Sequence, residues 1–282
     1  MPNFVEISSP DGPELRHYRG LVEPGLQSLG RAGSLPYFIA EGQLVVEKLV
    51  ASSFELHSLL MTPERAALMA GCLDGVTVPV FLAPAALIHQ IAGFEFNRGV
   101  LASGVRPSMG DALGLVRSAR VIVALEHVSN PDNIGGIFRT VAAIAGRAGA
   151  VLLGPGCADP LYRKSVRVSM GHVFSVPWAV TPDLEGEVRH LVGAGATALA
   201  TTPAAGAQDV RAGLGGLHLP VVVLAGPEGE GLSPNMLRTA TRLVRIPMAE
   251  GVDSLNVGVA TAIVLDRVIE RIGTEPGGVS CV

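Results

Sequence analysis

The chain is short of cysteine, lysine, aromatic residues and long apolar runs, and each shortage excludes something. Its three cysteines, Cys72, Cys157 and Cys281, stand far apart in 282 residues. They form neither a disulfide framework nor a CxxC metal pair. His57, His89, His127 and His172 are scattered without the spacing of metal ligands, so no metal site is expected. No uncharged apolar run approaches the ~20 residues that span a bilayer. The best stretch, Val141 to Leu153, is broken by Arg147. Met1 to Ser9 lacks the basic and apolar regions of a secretory signal. A cytoplasmic protein with no membrane association is therefore expected.

Positive charge is also scarce. The formal net charge is -4; residues 1–108 carry 10 acidic and 7 basic side chains, and the remainder carry 15 and 14. Neither half is the basic block that marks many nucleic-acid binders, although affinity depends on where cations cluster rather than on their sum. Of 21 basic residues only Lys48 and Lys164 are lysine, leaving 19 arginines. Arginine suits bidentate phosphate recognition, but a compositional bias toward it is the simpler source. What the chain has in quantity is apolar: 48% hydrophobic residues, mean hydropathy +0.43 and only 16% charged, which excludes a largely disordered chain. Its length suits two domains of roughly 150 residues.

Residues 1–30 are polar and turn-rich, with a short helix expected around Glu14 to Gly20. Beyond Tyr37, apolar runs alternate with amphipathic segments. Glu41 to Ala51 reads as a helix with Val45, Val46, Leu49 and Val50 on one face. Leu56 to Met61 reads as a strand, and Thr62-Pro63-Glu64 opens a helix. Val78 to Leu82 is a further strand, Pro84 begins a helix, and Val100 to Ala102 closes a small α/β unit with a mostly parallel sheet. Gly104 to Ser118 has no strong period and contains Pro107, Gly110 and Gly114, so it reads as a connection. The expected domains are thus 1–104 and 119–282, joined by a linker over 105–118. In the second, strands are expected at Val121–Leu125, Ala150–Leu153, Val173–Val176, Thr197–Thr201, Pro220–Ala225 and Leu243–Ile246. Helices are expected at Asp132–Ala145, Leu161–Ser169, Leu184–Val192, Pro234–Thr241 and Ser254–Ile272.

Three segments of this second domain carry chemical interest. In the first, Asn130 to Arg139, a period of about 100° per residue puts Ile134, Ile137, Phe138, Val141 and Ala145 on one helical face. Arg139 falls off that stripe, either toward a cleft or a partner or as an ordinary solvated arginine. In the second, Val221 to Pro234, an apolar strand enters a loop with Gly226, Gly229 and Gly231. A helix follows with Ser233 as cap and Pro234 as first residue. The loop matches neither GxGxxG nor a Walker sequence, which disfavours a dehydrogenase-like nucleotide enzyme. In the third, Arg245-Ile-Pro-Met248 leads to Asp253-Ser-Leu-Asn256 and a long helix. Ser254 is its expected cap, and Ser254 and Asn256 stand at the helix's positive end.

Taken in order, Asn133-x-Gly-x-x-x-Arg139, Gly226-Pro-Glu-Gly-Glu-Gly-Leu-Ser233, and Ile246-Pro-Met248 with Asp253-Ser-Leu-Asn-Val257 resemble the three motifs of the SpoU/TrmH family. These are RNA ribose 2′-O-methyltransferases of the SPOUT superfamily. Arg167-Val-Ser-Met-Gly171 through Pro177 resembles the stretch between the first two motifs. Ala40-Glu-Gly42 and Asn97-Arg-Gly-Val-Leu-Ala-Ser103 resemble the ribosomal protein L30e-like substrate-binding domain often fused ahead of the catalytic one.

The resemblance implies an α/β fold: a SPOUT-type parallel-sheet catalytic domain with a carboxy-terminal trefoil knot, preceded by the smaller L30e-like domain. It implies S-adenosylmethionine as cofactor, lined by Gly226, Ile246 and Leu255, with Thr201 as a further member. It assigns catalysis to Asn133, Arg139, Glu228, Ser254 and Asn256. Arg139 is either the proton acceptor or a fixed cation that stabilises the alkoxide and grips the adjacent phosphate. A guanidinium holds its proton too firmly for the first role to be comfortable. Arg163, Lys164 and Arg167 either hold flanking phosphates or form a solvated helix face. The implied substrate is ribosomal or transfer RNA and the implied assembly a homodimer, for which the apolar face of Ser254 to Ile272 offers a hint. The competing reading is a catalytically silent RNA-binding protein that keeps the fold.

Overall fold

A computed structural model describes residues 2–21, 36–95, 99–108 and 112–273. Asn97 and Arg98 lie outside the described residues. The chain divides into two units. One combines Met1–Ser108 with Asp159–Ser175, and the other combines Met109–Ala158 with Val176–Val282.

The first unit contains β1 (Asn3–Glu6), β2 (Tyr37–Glu41), α1 (Gln43–Val50), β3 (Leu56–Met61), α2 (Pro63–Leu68), α3 (Ala70–Leu73), β4 (Pro79–Leu82), α4 (Ala85–Ala92) and β5 (Val100–Val105). The region expected to be turn-rich thus holds β1 and a 3-10 helix, Pro13–Tyr18. Thr62 caps α2 by accepting from Arg65 N at 3.2 Å. The strand order is β1-β4-β3-β5-β2. Strands β1, β4 and β3 run parallel, whereas β5 runs against both β3 and β2. Half of the pairings are therefore antiparallel rather than mostly parallel. Alternating strands and helices do not fix the direction of the closing strand.

The second unit begins with α5 (Ala112–Arg117), a helix within the segment expected to be a plain connection. It continues through β6 (Val121–Leu125), α6 (Pro131–Ile144) and β7 (Gly149–Leu153). The chain then contributes α7 (Arg163–Val168) to the first unit before supplying β8 (Trp178–Val180), α8 (Leu184–Gly193), β9 (Thr197–Thr201), β10 (Gln208–Asp209), β11 (Val221–Ala225), α9 (Pro234–Thr239), β12 (Arg242–Arg245) and α10 (Val257–Ile272). All seven strands are parallel, in the order β10-β12-β9-β11-β6-β7-β8. Strands β6, β7 and β11 are buried at every residue, as expected for a parallel sheet covered on both faces. Helix α6 buries Ile134, Ile137, Phe138 and Val141.

Two expectations are corrected here. No strand forms at Val173–Val176. His172–Phe174 is a 3-10 turn, and Phe174 joins Phe38 and Phe54 at ring distances of 5.5 and 5.3 Å. The apolar run serves the first unit's aromatic cluster, and the strand starts after Pro177. The second correction concerns Arg163. Its guanidinium pairs with the buried Glu41 carboxylate at 2.5 Å and lies 4.2 Å over the Phe94 ring. Arg167 lies 3.8 Å from the same carboxylate. Together with the Arg106–Asp159 pair at 2.7 Å, these charges hold the Asp159–Ser175 segment within the first unit. Arg163 is an internal structural cation.

Candidate active site

The carboxy-terminal ends of β12, β9 and β11 lie side by side, where open parallel sheets present their ligand crevices. A cavity opens there. Its walls are Thr201 to Pro203 after β9, the Gly226–Gly231 loop after β11, Ile246 and Met248 after β12, and Asp253 to Leu255 before α10. All four residues expected to line a cofactor, Thr201, Gly226, Ile246 and Leu255, are among them, as are Glu228 and Ser254. The Thr201 hydroxyl donates to Leu224 O at 2.9 Å, tying the β9 wall to β11.

Gly226 shows why this wall needs glycine. A Cβ there would stand 2.6 Å from Gly231 C and Leu232 N, both backbone atoms of the returning loop. Gly231 N closes that loop by donating to Pro227 O at 3.1 Å. Gly229 and Gly231 have φ of +93° and +71°, the left-handed backbone that glycine enters freely.

Beside the cavity three distant segments meet in one hydrogen-bond ring. Asn256 Oδ1 accepts from Gly258 N at 2.9 Å and Val259 N at 3.3 Å, capping α10. Its Nδ2 is thereby left to donate to Asn133 Oδ1 at 2.9 Å and Glu228 Oε1 at 2.6 Å. Asn133 Nδ2 then donates to the same Glu228 oxygen at 3.2 Å, and Val257 N donates at 3.3 Å. Each amide's orientation follows from its neighbour's. The carboxylate also sits at the amino end of α10, where the helix dipole favours negative charge. The helix starts at Val257, so its cap is Asn256 and not Ser254. An Asn side chain at that position reaches two backbone N–H groups and still has an amide to donate. Ser254 instead lines the cavity.

Arg139 is not part of this ring. It stands exposed on α6, outside the cavity lining. Met248, Asp253 and Thr202 line the cavity although no role was expected of them. The first two belong to the motif segments themselves, whereas nothing in the local sequence distinguishes Thr202. Helix α10 buries Val264, Leu265, Val268 and Ile269 within its own unit and packs on α6. Its apolar face is thus satisfied internally and does not itself indicate a dimer.

The sequence model of the SpoU rRNA Methylase family matches residues 120–266. This chain belongs to that family. Over 263 residues it is 39% identical to a tRNA/rRNA methyltransferase of Mycobacterium tuberculosis, covering 92% of this chain and 89% of the relative. A 23S rRNA (adenosine(1067)-2′-O)-methyltransferase of Streptomyces laurentii is 30% identical, with 79% and 81% covered. Among solved structures, the AdoMet-bound rRNA methyltransferase of Sinorhizobium meliloti superposes with a TM-score of 0.78 at 28% identity, covering 96% of this chain and 99% of that one. The fold is therefore the parallel-sheet α/β fold of SpoU methyltransferases. Among the described residues, no helix is long and apolar enough to cross a membrane, and no group of three His, Cys, Asp or Glu is placed to hold a metal.

Proposed function

We infer that this SpoU-family chain is a methyltransferase that uses S-adenosylmethionine to methylate ribose 2′-hydroxyls of ribosomal or transfer RNA in the cytoplasm. One observation carries the reading. Residues of the second and third motifs line one cavity whose wall at Gly226 admits no Cβ, and Asn133 of the first motif is tied to that wall through Glu228 and Asn256. Thr201, Gly226, Ile246 and Leu255 would hold the cofactor, largely by backbone contact. Small residues and bare backbone suit an adenine edge. The cofactor, when bound, supplies a methyl group on an electrophilic sulfonium.

The protein's task is then to align a ribose oxygen and assist loss of its proton. The Asn133–Glu228–Asn256 ring fixes the start of α6 against the cavity wall and the start of α10. Asn133, Glu228, Ser254 and Asn256 serve as positioning groups around the nucleotide. Arg139 supplies fixed positive charge to the developing alkoxide and the adjacent phosphate. Its exposure away from its own cavity suits a site completed by a second copy, so the working unit is a homodimer. A silent binding protein would not need this ring in full. We also take the carboxy-terminal part of the second unit to be knotted. Residues 1–104 we take to be the L30e-like RNA-capturing domain.

Calorimetry with S-adenosylmethionine should show one site per chain, unchanged by chelator. Absence of binding to both the cofactor and its demethylated product would remove the methyltransferase reading. Light scattering should give twice 29.1 kDa, and an active monomer would contradict the dimer.

A further inference from the structure

Among the described residues, two non-glycine positions have left-handed backbone, His127 at φ +55° and Met170 at φ +53°. Met170 belongs to the turn that ends α7, where Gly171 N donates to Val166 O at 3.2 Å. His127 ends no helix. It is the second residue after β6, on the carboxy-terminal edge of the parallel sheet, and it is exposed. A side chain in this conformation carries strain that glycine would avoid.

The surroundings hold it there. The chain after β7 is stitched to the chain after β6 by Gly154 N to Leu125 O at 2.9 Å, His127 N to Pro155 O at 3.2 Å and Ala158 N to Val128 O at 2.9 Å. Cys157 Sγ adds a bond to Leu125 O at 3.3 Å. The imidazole lies against Gly156, itself at φ +74°; a Cβ on Gly156 would stand 2.5 Å from His127 Cδ2. A glycine is thus kept bare beneath a ring that is kept in a strained place. Three residues later the same loop reaches Asn130, the cap of α6, and then Asn133 of the ring beside the cavity.

We propose that His127 is a stacking contact for a nucleobase of the RNA substrate, held over the sheet edge beside the active site. The proposal rests on the RNA methyltransferase reading. Proteins recognise unpaired RNA bases by stacking them on aromatic side chains, histidine included. A side chain carried on a backbone that its loop already holds leaves less to order when the base arrives. Strain at this position is retained because it sets the ring's location.

The test is single-turnover methylation of RNA isolated from cells lacking the protein, using labelled S-adenosylmethionine. Wild type is compared with His127→Gly, His127→Asn and His127→Phe. Glycine and asparagine both accept the left-handed backbone but carry no aromatic ring. Both variants should melt at or near the wild-type temperature and bind cofactor within about twofold of wild type. Their half-saturating RNA concentration should rise about fivefold or more, the scale of one lost base–aromatic stack. His127→Phe, once shown folded by its melting curve, should recover most of that loss. Wild-type half-saturation in the glycine and asparagine variants would overturn the proposal while leaving the methyltransferase reading intact. A wild type that methylates no RNA would overturn that reading, and the proposal with it.

Discussion

Replacing Asn256 tests the hydrogen-bond ring, because one side chain both caps α10 and supports Glu228. Loss of the cap alone costs about 1 kcal/mol. Asn256→Ala also strands the Asn133 Oδ1 acceptor and removes a 2.6 Å donor from Glu228. An unsatisfied buried acceptor costs about 1–3 kcal/mol, and exposure of the carboxylate keeps its own loss at the low end. The total is about 3 kcal/mol, or a fall of about 6–12 °C in melting temperature for a unit of this size. Asn256→Ser keeps a capping oxygen without the amide, so it should recover about 1 kcal/mol of the loss. Asn256→Asp caps equally well but sets a second carboxylate against Glu228. It should be less stable than the serine variant at neutral pH. Thermal melts followed by circular dichroism give the ranking. A serine variant as stable as wild type, or an aspartate variant more stable than it, would show that the ring contributes nothing.

Gly226→Ala should lower S-adenosylmethionine affinity by about 100-fold or more in calorimetry, since its Cβ meets backbone rather than a movable side chain; near-normal affinity would mean that this loop is not the cofactor wall. Arg139→Ala should abolish methyl transfer yet leave cofactor affinity within a few-fold, in keeping with its place outside the cavity, and an active variant would remove its assigned role. Stability should fall on acidification. His17 accepts from Arg16 Nε through Nε2, and its Nδ1 lies 2.9 Å from Ser103 Oγ. Burial, with His57 and Arg16 nearby, pushes its pKa from 6.5 down to about 4. The unfolded chain therefore takes up a proton that the folded one refuses. The stability this provides is complete above pH 6.5 and is lost as pH falls toward 4. An unchanged melting temperature across that window, or the same dependence in His17→Gln, would contradict the assignment.

Much of the second unit was legible because its signals are local. Apolar runs such as Val221–Ala225 can hardly be anything but buried strands, and Pro131 and Pro234 mark helix starts. The cavity was legible through glycines and motif order, since Gly226, Ile246 and Leu255 meet there despite lying far apart in sequence. What could not be read depends on distant partners. Asn256 rather than Ser254 caps α10 because Asn133 and Glu228 engage its amide. The membership of Asp159–Ser175 in the first unit rests on Glu41, Arg106 and the Phe38–Phe54 rings. Arg163 in particular reads as either a phosphate ligand or a solvated cation until its carboxylate partner, 122 positions away, is seen.

The central claim concerns which oxygen receives the methyl group. RNA from cells lacking the protein can be incubated with the protein and radiolabelled S-adenosylmethionine, then hydrolysed in alkali. A ribose 2′-O-methyl group blocks attack on the adjacent phosphodiester, so the account predicts label in alkali-stable dinucleotides, and none with Arg139→Ala. Label recovered in single nucleotides would place the methyl group on a base and contradict it, as would RNA that remains unlabelled.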